Sequence, residues 1–100
     1  MQLGVPKEIK AQEFRVGMTP AGVRELVSAG HTVLIESGAG DAVGLTDDLY
    51  RVAGASVVDT AEQVFIESDM IVKVKEPQPH ECRQLRPEQL LFTYLHLAAD

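Results

Sequence analysis

Residues 19–36 read TPAGVRELVSAGHTVLIE, a helix signal that runs directly into a strand signal. Thr19 supplies a capping hydroxyl ahead of Pro20, a proline at the first helical position, where its missing N–H costs nothing. Val23, Leu26 and Val27 fall on one helical face, and Gly30 closes the helix. Residues 31–36, HTVLIE, are rich in β-branched side chains and read as a strand. The same alternation extends both ways along the chain. Upstream, Leu3-Gly4-Val5 is a short strand stopped by Pro6. Downstream, Thr46-Asp47-Asp48 caps a short helix that carries Leu49, Tyr50 and Val52 and ends at Gly54. Ser56-Val57-Val58 is a third strand, and Thr60 with Gln63 forms a capping-box start for a helix through Ser68. Residues 69–75, DMIVKVK, are a fourth strand. Pro77 and Pro79 interrupt the chain, residues 79–85 form a short helix, and residues 90–95, LLFTYL, are a fifth strand. Strands joined by helical connections imply right-handed crossovers and a parallel sheet, and continuous apolar runs such as LLFTYL fit strands covered on both faces. The expected architecture is therefore α/β: a doubly wound, mostly parallel sheet of about five strands flanked by helices. The chain stops at HLAAD, directly after a strand that reads as buried, so residues 1–100 are expected to be part of a larger unit.

Composition narrows the function classes. The 100 residues are 45% hydrophobic and 24% charged, which argues for a packed core and against disorder. Nine basic against fifteen acidic residues give a net charge of −6, and with no basic cluster a nucleic-acid or anionic-membrane surface is not expected. No apolar run approaches the roughly 18–20 residues of a membrane span, and the N-terminus lacks the basic and apolar segments of a signal peptide. A soluble, cytoplasmic protein is expected. Cys82 is the single cysteine. It excludes an internal disulfide and a cysteine zinc cage, and with no basic or histidine neighbours it reads as a bystander. No metal site is expected.

In open parallel sheets, ligands bind beyond the carboxyl ends of the strands. That rule selects Lys7, Glu8, Lys10, Glu13 and Arg15 after the first strand, Lys73, Lys75 and Glu76 at the end of the fourth, and Tyr94 and His96 at the end of the fifth. Arg15, Lys75 and His96 can thus gather at one rim. Arginine can hold a carboxylate with two parallel N–H bonds; Lys75 can polarise a carbonyl oxygen; His96 can pass a proton near neutrality. Together they suit a small 2-oxo or 2-amino acid. Each residue also has a plainer reading: a solvated arginine, a lysine sharing a strand face with Lys73, a hydrogen-bonded histidine. His31 belongs to the opposite rim and His80 to the surface. The stretch GAGDAVG at residues 38–44 follows a strand and imitates a dinucleotide-binding loop. Its spacing is G-x-G-x-x-x-G, and the acidic Thr-Asp-Asp helix start that follows would repel a pyrophosphate. A tight strand-to-helix connection is the simpler expectation.

The blocks GVPKEIK, E-x-RV and TPAGV near the start, IESGAG in the middle, and KVKEP with LLFTYLHLAAD at the end resemble alanine dehydrogenases over essentially all 100 residues. The wider family includes the amino-terminal domain of the alpha subunit of nicotinamide nucleotide transhydrogenase, which shows a different version of KVKEP and lacks YLHLA. The resemblance implies a Rossmann/flavodoxin-like substrate domain and NAD-dependent, reversible oxidative deamination of L-alanine to pyruvate and ammonia. Carried over residue by residue, Arg15 would bind the substrate carboxylate. Lys75 would contact the substrate and help polarise the pyruvate carbonyl, and His96 would act as acid/base. NAD would be bound by a separate domain missing from this chain, so these 100 residues alone are expected to be inactive. A homo-oligomer, a hexamer in the family, is the implied assembly. The alternatives are a non-catalytic module that binds small carboxylates or a protein partner, and a transhydrogenase fragment.

Overall fold

The computed structural model describes residues 1–10 and 13–94. Five strands, β1 (Gln2–Val5), β2 (Thr32–Glu36), β3 (Ser56–Val58), β4 (Met70–Lys73) and β5 (Leu90–Thr93), form one sheet in the order β3-β2-β1-β4-β5. Every neighbouring pair is parallel. The helices are α1 (Pro20–Ser28), α2 (Asp47–Ala53), α3 (Ala61–Glu67) and the single turn α4 (Pro79–Cys82). The chain winds outward from β1 to β3, crosses back over the sheet through α3, and resumes at β4 on the other side of β1. The strand order therefore reverses between β1 and β4.

Two apolar layers follow from the alternation of side chains along each strand. Leu3, Val5, Val33, Ile35 and Val72 pack with Val23 of α1 and Tyr50 and Ala53 of α2. On the opposite face, Ile71 packs with Val64 and Phe65 of α3. Gly4 lies on the α3 face, where a Cβ would meet Ser68 Oγ at 2.0 Å and Val64 Cγ1 at 2.7 Å. The absence of a side chain there is what lets α3 and the turn after it sit down on β1. Among the described residues no helix is long and apolar enough to cross a membrane.

Helix starts fall where the sequence places them. The hydroxyls of Thr19, Thr46 and Thr60 accept from the N–H groups of Gly22, Leu49 and Gln63. At α3 the reciprocal arm differs: the Gln63 side chain accepts from the Asp59 N–H rather than from that of Thr60. Two expectations need correction. The fourth strand ends at Lys73, not Lys75, because the chain bends at Val74 and Lys75. The fifth strand is not covered on both faces: Leu90, Leu91 and Phe92 are exposed at the sheet edge. An apolar run does not distinguish a strand buried within its own 100 residues from one whose cover comes from elsewhere.

Replacing Gly4 by Ala is expected to cost about 1–3 kcal/mol through overpacking against Ser68 and Val64. Urea unfolding checks this, and the double variant with Ser68→Gly should recover part of the loss.

Candidate functional site

The carboxyl ends of β1 and β4 meet at the reversal of strand order, the place where open α/β sheets bind ligands. A buried ionic group joins them. The Lys73 ammonium lies 3.1 Å from Glu8 Oε1 and 3.1 Å from Glu81 Oε2, with the three side chains 1%, 2% and 3% exposed. Glu8 also accepts from the backbone N–H groups of Val74 (3.0 Å) and Lys75 (3.3 Å). One carboxylate from the loop after β1 thereby fixes the bend that follows β4. Glu81 accepts from the Gln78 N–H at 2.9 Å and so ties the start of α4 to the same ammonium.

The bend separates the two lysines. Lys73 points into the protein, whereas Lys75, half-buried, reaches the rim. Arg15 lies on the loop between β1 and α1, its guanidinium paired with Glu13 by Nε–H to Oε2 and Nη2–H to Oε1, both 3.0 Å. These bonds hold the Glu13 carboxyl below the usual carboxylate range, and the nearby Lys75 charge contributes. The two sequence-selected cations thus lie beyond the carboxyl ends of the adjacent strands β1 and β4. A second pair, Lys10 with Glu76 at 2.8 Å, lies at this rim and holds the Glu76 carboxyl down.

The loop bearing Arg15 is anchored on three sides. Gly17 passes so close to β4 that a Cβ would stand 2.6 Å from the Val72 carbonyl oxygen. The Tyr94 hydroxyl donates to the Gly17 carbonyl and the Tyr50 hydroxyl to the Met18 carbonyl, each at 2.6 Å. Tyr50 is buried, which pushes its phenol up to about 12 and keeps it a donor. Tyr94 stands at the end of β5, two residues before His96. His96 itself lies outside the described residues.

Residues 38–44 make the tight connection expected of them. The Asp47 carboxylate accepts from the Gly38 N–H at 2.9 Å and from the Ser37 hydroxyl at 2.6 Å. The N–H that a phosphate would need is occupied by an acid of the chain itself, and Asp41 and Asp48 add further negative charge beside it. This loop does not fit a dinucleotide. His80 and Cys82 are on the exposed surface of α4. His31 sits at the start of β2, at the far rim.

The sequence singles out Arg15 and Lys75 but not the buried group of Lys73, Glu8 and Glu81. Glu8 stood in the charged loop and Glu81 drew no notice. The available signal was Lys73 itself: a lysine flanked by valines in a core strand needs buried counter-charges.

A doubly wound α/β sheet with a lattice of acids and cations across its reversal point is the class of domain these observations define. The chain matches the family model "Alanine dehydrogenase/PNT, N-terminal domain" over residues 4–100, and it belongs to that family. It is 52% identical over all its residues to the alanine dehydrogenase of Mycobacterium tuberculosis (strain ATCC 25618 / H37Rv), covering 27% of that protein. To the Bacillus subtilis (strain 168) enzyme it is 50% identical, again over its whole length, covering 26% of the relative. Among solved structures, an L-alanine dehydrogenase superposes with a TM-score of 0.92 at 57% identity, over 99% of this chain and 27% of that one. A transhydrogenase from Sinorhizobium meliloti gives 0.87 at 31% identity, over 93% of this chain and 26% of that one. The chain therefore spans about a quarter of the length of these relatives.

Two outcomes test this description. Lys73→Met leaves two carboxylates buried around an apolar side chain and is expected to cost about 3–5 kcal/mol, read by denaturant unfolding. Asp47 is held below its ordinary 3.8 by the Gly38 N–H and then the Ser37 hydroxyl. Its contribution to stability is therefore full above 3.8 and is lost as pH falls through the lower folded-state value. Asp47→Asn should be less stable than the wild type at neutral pH, and the gap should close on acidification.

Proposed function

We propose that residues 1–100 form the N-terminal part of the substrate domain of an NAD-dependent alanine dehydrogenase, which interconverts L-alanine with pyruvate and ammonia. The observation that carries this reading is the position of Arg15 and Lys75 beyond the carboxyl ends of the adjacent strands β1 and β4, at the reversal of strand order, in a chain about half identical to alanine dehydrogenases. Arg15 holds the substrate carboxylate through paired N–H donors. Lys75 directs its ammonium at the 2-oxo oxygen and stabilises the negative charge that grows there as the carbonyl is attacked. His96, which the family resemblance brings forward, moves a proton at that oxygen. The hydride chemistry of NAD is assigned to a separate domain, since the glycine stretch of this chain does not fit a dinucleotide. A cytoplasmic homo-oligomer is the setting proposed, on the resemblance alone. The identity of 57% to an L-alanine dehydrogenase structure against 31% to a transhydrogenase favours the dehydrogenase over the transhydrogenase alternative.

The test is the pyruvate- and ammonia-dependent oxidation of NADH by the full-length protein. Arg15→Lys is expected to raise the KM for pyruvate about 10- to 100-fold, as loss of a paired, charge-assisted contact does. Lys75→Met should lower kcat/KM about 100-fold, and His96→Ala should lower kcat about 100-fold or more. A full-length protein that shows no such activity, or variants that leave it unchanged, would remove the assignment.

A further inference from the structure

Arg15 is gripped from one side only. Glu13 takes its Nε–H and one hydrogen of Nη2, and the same Oε2 also accepts the Arg15 backbone N–H at 2.8 Å. The acid is the fixed partner: its side chain is 4% exposed, whereas that of Arg15 is 58% exposed. Glu13 is itself set by a backbone bond from its N–H to the Lys10 carbonyl at 3.1 Å. A guanidinium is a rigid plane with five N–H donors. A carboxylate seated along the Nε/Nη2 edge leaves the Nη1/Nη2 edge for a second one, and among the described residues no acceptor takes Nη1.

We propose that Glu13 is a positioning residue for substrate binding: it clamps the inner edge of Arg15 so that the opposite edge is presented, already oriented, to the substrate carboxylate. The inference rests on the reading of Arg15 given above and adds to it the group that orients the arginine. An unclamped arginine on an exposed loop would lose much of its rotational freedom when substrate arrives, and that loss would weaken binding. With Glu13 in place the ordering is complete before the substrate enters. Glu13 does not compete for that edge, so its negative charge acts as a brace and not as a rival ligand.

The experiment measures steady-state kinetics of the full-length protein with pyruvate varied at saturating NADH and ammonia, for Glu13→Gln, Glu13→Ala, Arg15→Lys and the Glu13→Gln/Arg15→Lys double variant. Glu13→Gln keeps the size and one acceptor but loses the two-oxygen seat. It is expected to raise KM about 5- to 10-fold, the ordering of one long side chain, with kcat within about twofold of the wild type. Glu13→Ala should show the same split, larger in KM. In the Arg15→Lys background, where no fork remains to be oriented, Glu13→Gln should have no further effect on KM. A KM that falls or stays constant in Glu13→Gln, while Arg15→Lys still raises it, overturns the positioning role and leaves the carboxylate reading standing. Equal losses in kcat and kcat/KM, or additive effects in the double variant, also overturn it. An Arg15→Lys variant with unchanged KM removes the carboxylate reading and this inference together.

Discussion

A lysine ammonium sealed between two carboxylates ties together the carboxyl ends of β1 and β4. Lys73 is the last residue of β4, Glu8 comes from the loop after β1, and Glu81 from α4. Removing charges from water is expensive, and the loss is offset only when each lone pair and each proton finds a partner. Glu8 meets that condition by accepting from the ammonium and from two backbone N–H groups. The geometry it enforces is narrow. Only a chain that bends after Lys73 can offer both N–H groups to one carboxylate, and that bend turns Lys75 from the interior to the rim.

The exposed chemistry is thus held by buried chemistry one layer down. Arg15 rests on Glu13 as Lys75 rests on Glu8. Both acids come from the loop between β1 and α1, so a single connection organises the two cations. The loop is kept in place by Gly17 against the backbone of β4 and by two tyrosine hydroxyls on neighbouring carbonyls. It has no regular secondary structure, yet side chains of α2 and of the end of β5 fasten it. Rigid placement of an irregular segment is what a binding loop on an α/β scaffold requires.

Most of the fold was legible in the sequence because its signals are local. Thr19, Thr46 and Thr60 each begin a helix, glycines close two of them, and β-branched runs mark the strands. The rule that ligands bind beyond strand carboxyl ends singles out Arg15 and Lys75, which follow the adjacent strands β1 and β4. What stayed hidden depended on contacts distant in sequence. The Glu8–Lys73 pair spans 65 residues, and nothing in either neighbourhood specifies the other. The run that opens with Leu90, Leu91 and Phe92 reads as buried yet these three are exposed, since coverage of a strand is a property of what packs on it. The sequence extends β4 too far because alternation continues through Val74 and Lys75, whose N–H groups are taken by Glu8 at the bend.

The bond from Tyr94 to the Gly17 carbonyl links positions 77 apart. A chain made from its amino end exposes residues 1–20 long before residue 94 exists, and β4, against which Gly17 packs, also comes late. The loop that carries Arg15 therefore cannot take its final shape from its own neighbourhood; it must wait for β4 and β5, which come later in the chain. Contacts of such separation form late and slowly, because a long loop has to close first. During synthesis the helix-and-strand units of residues 19–58 can form early, while the corner that bears Arg15 is finished only when β5 docks.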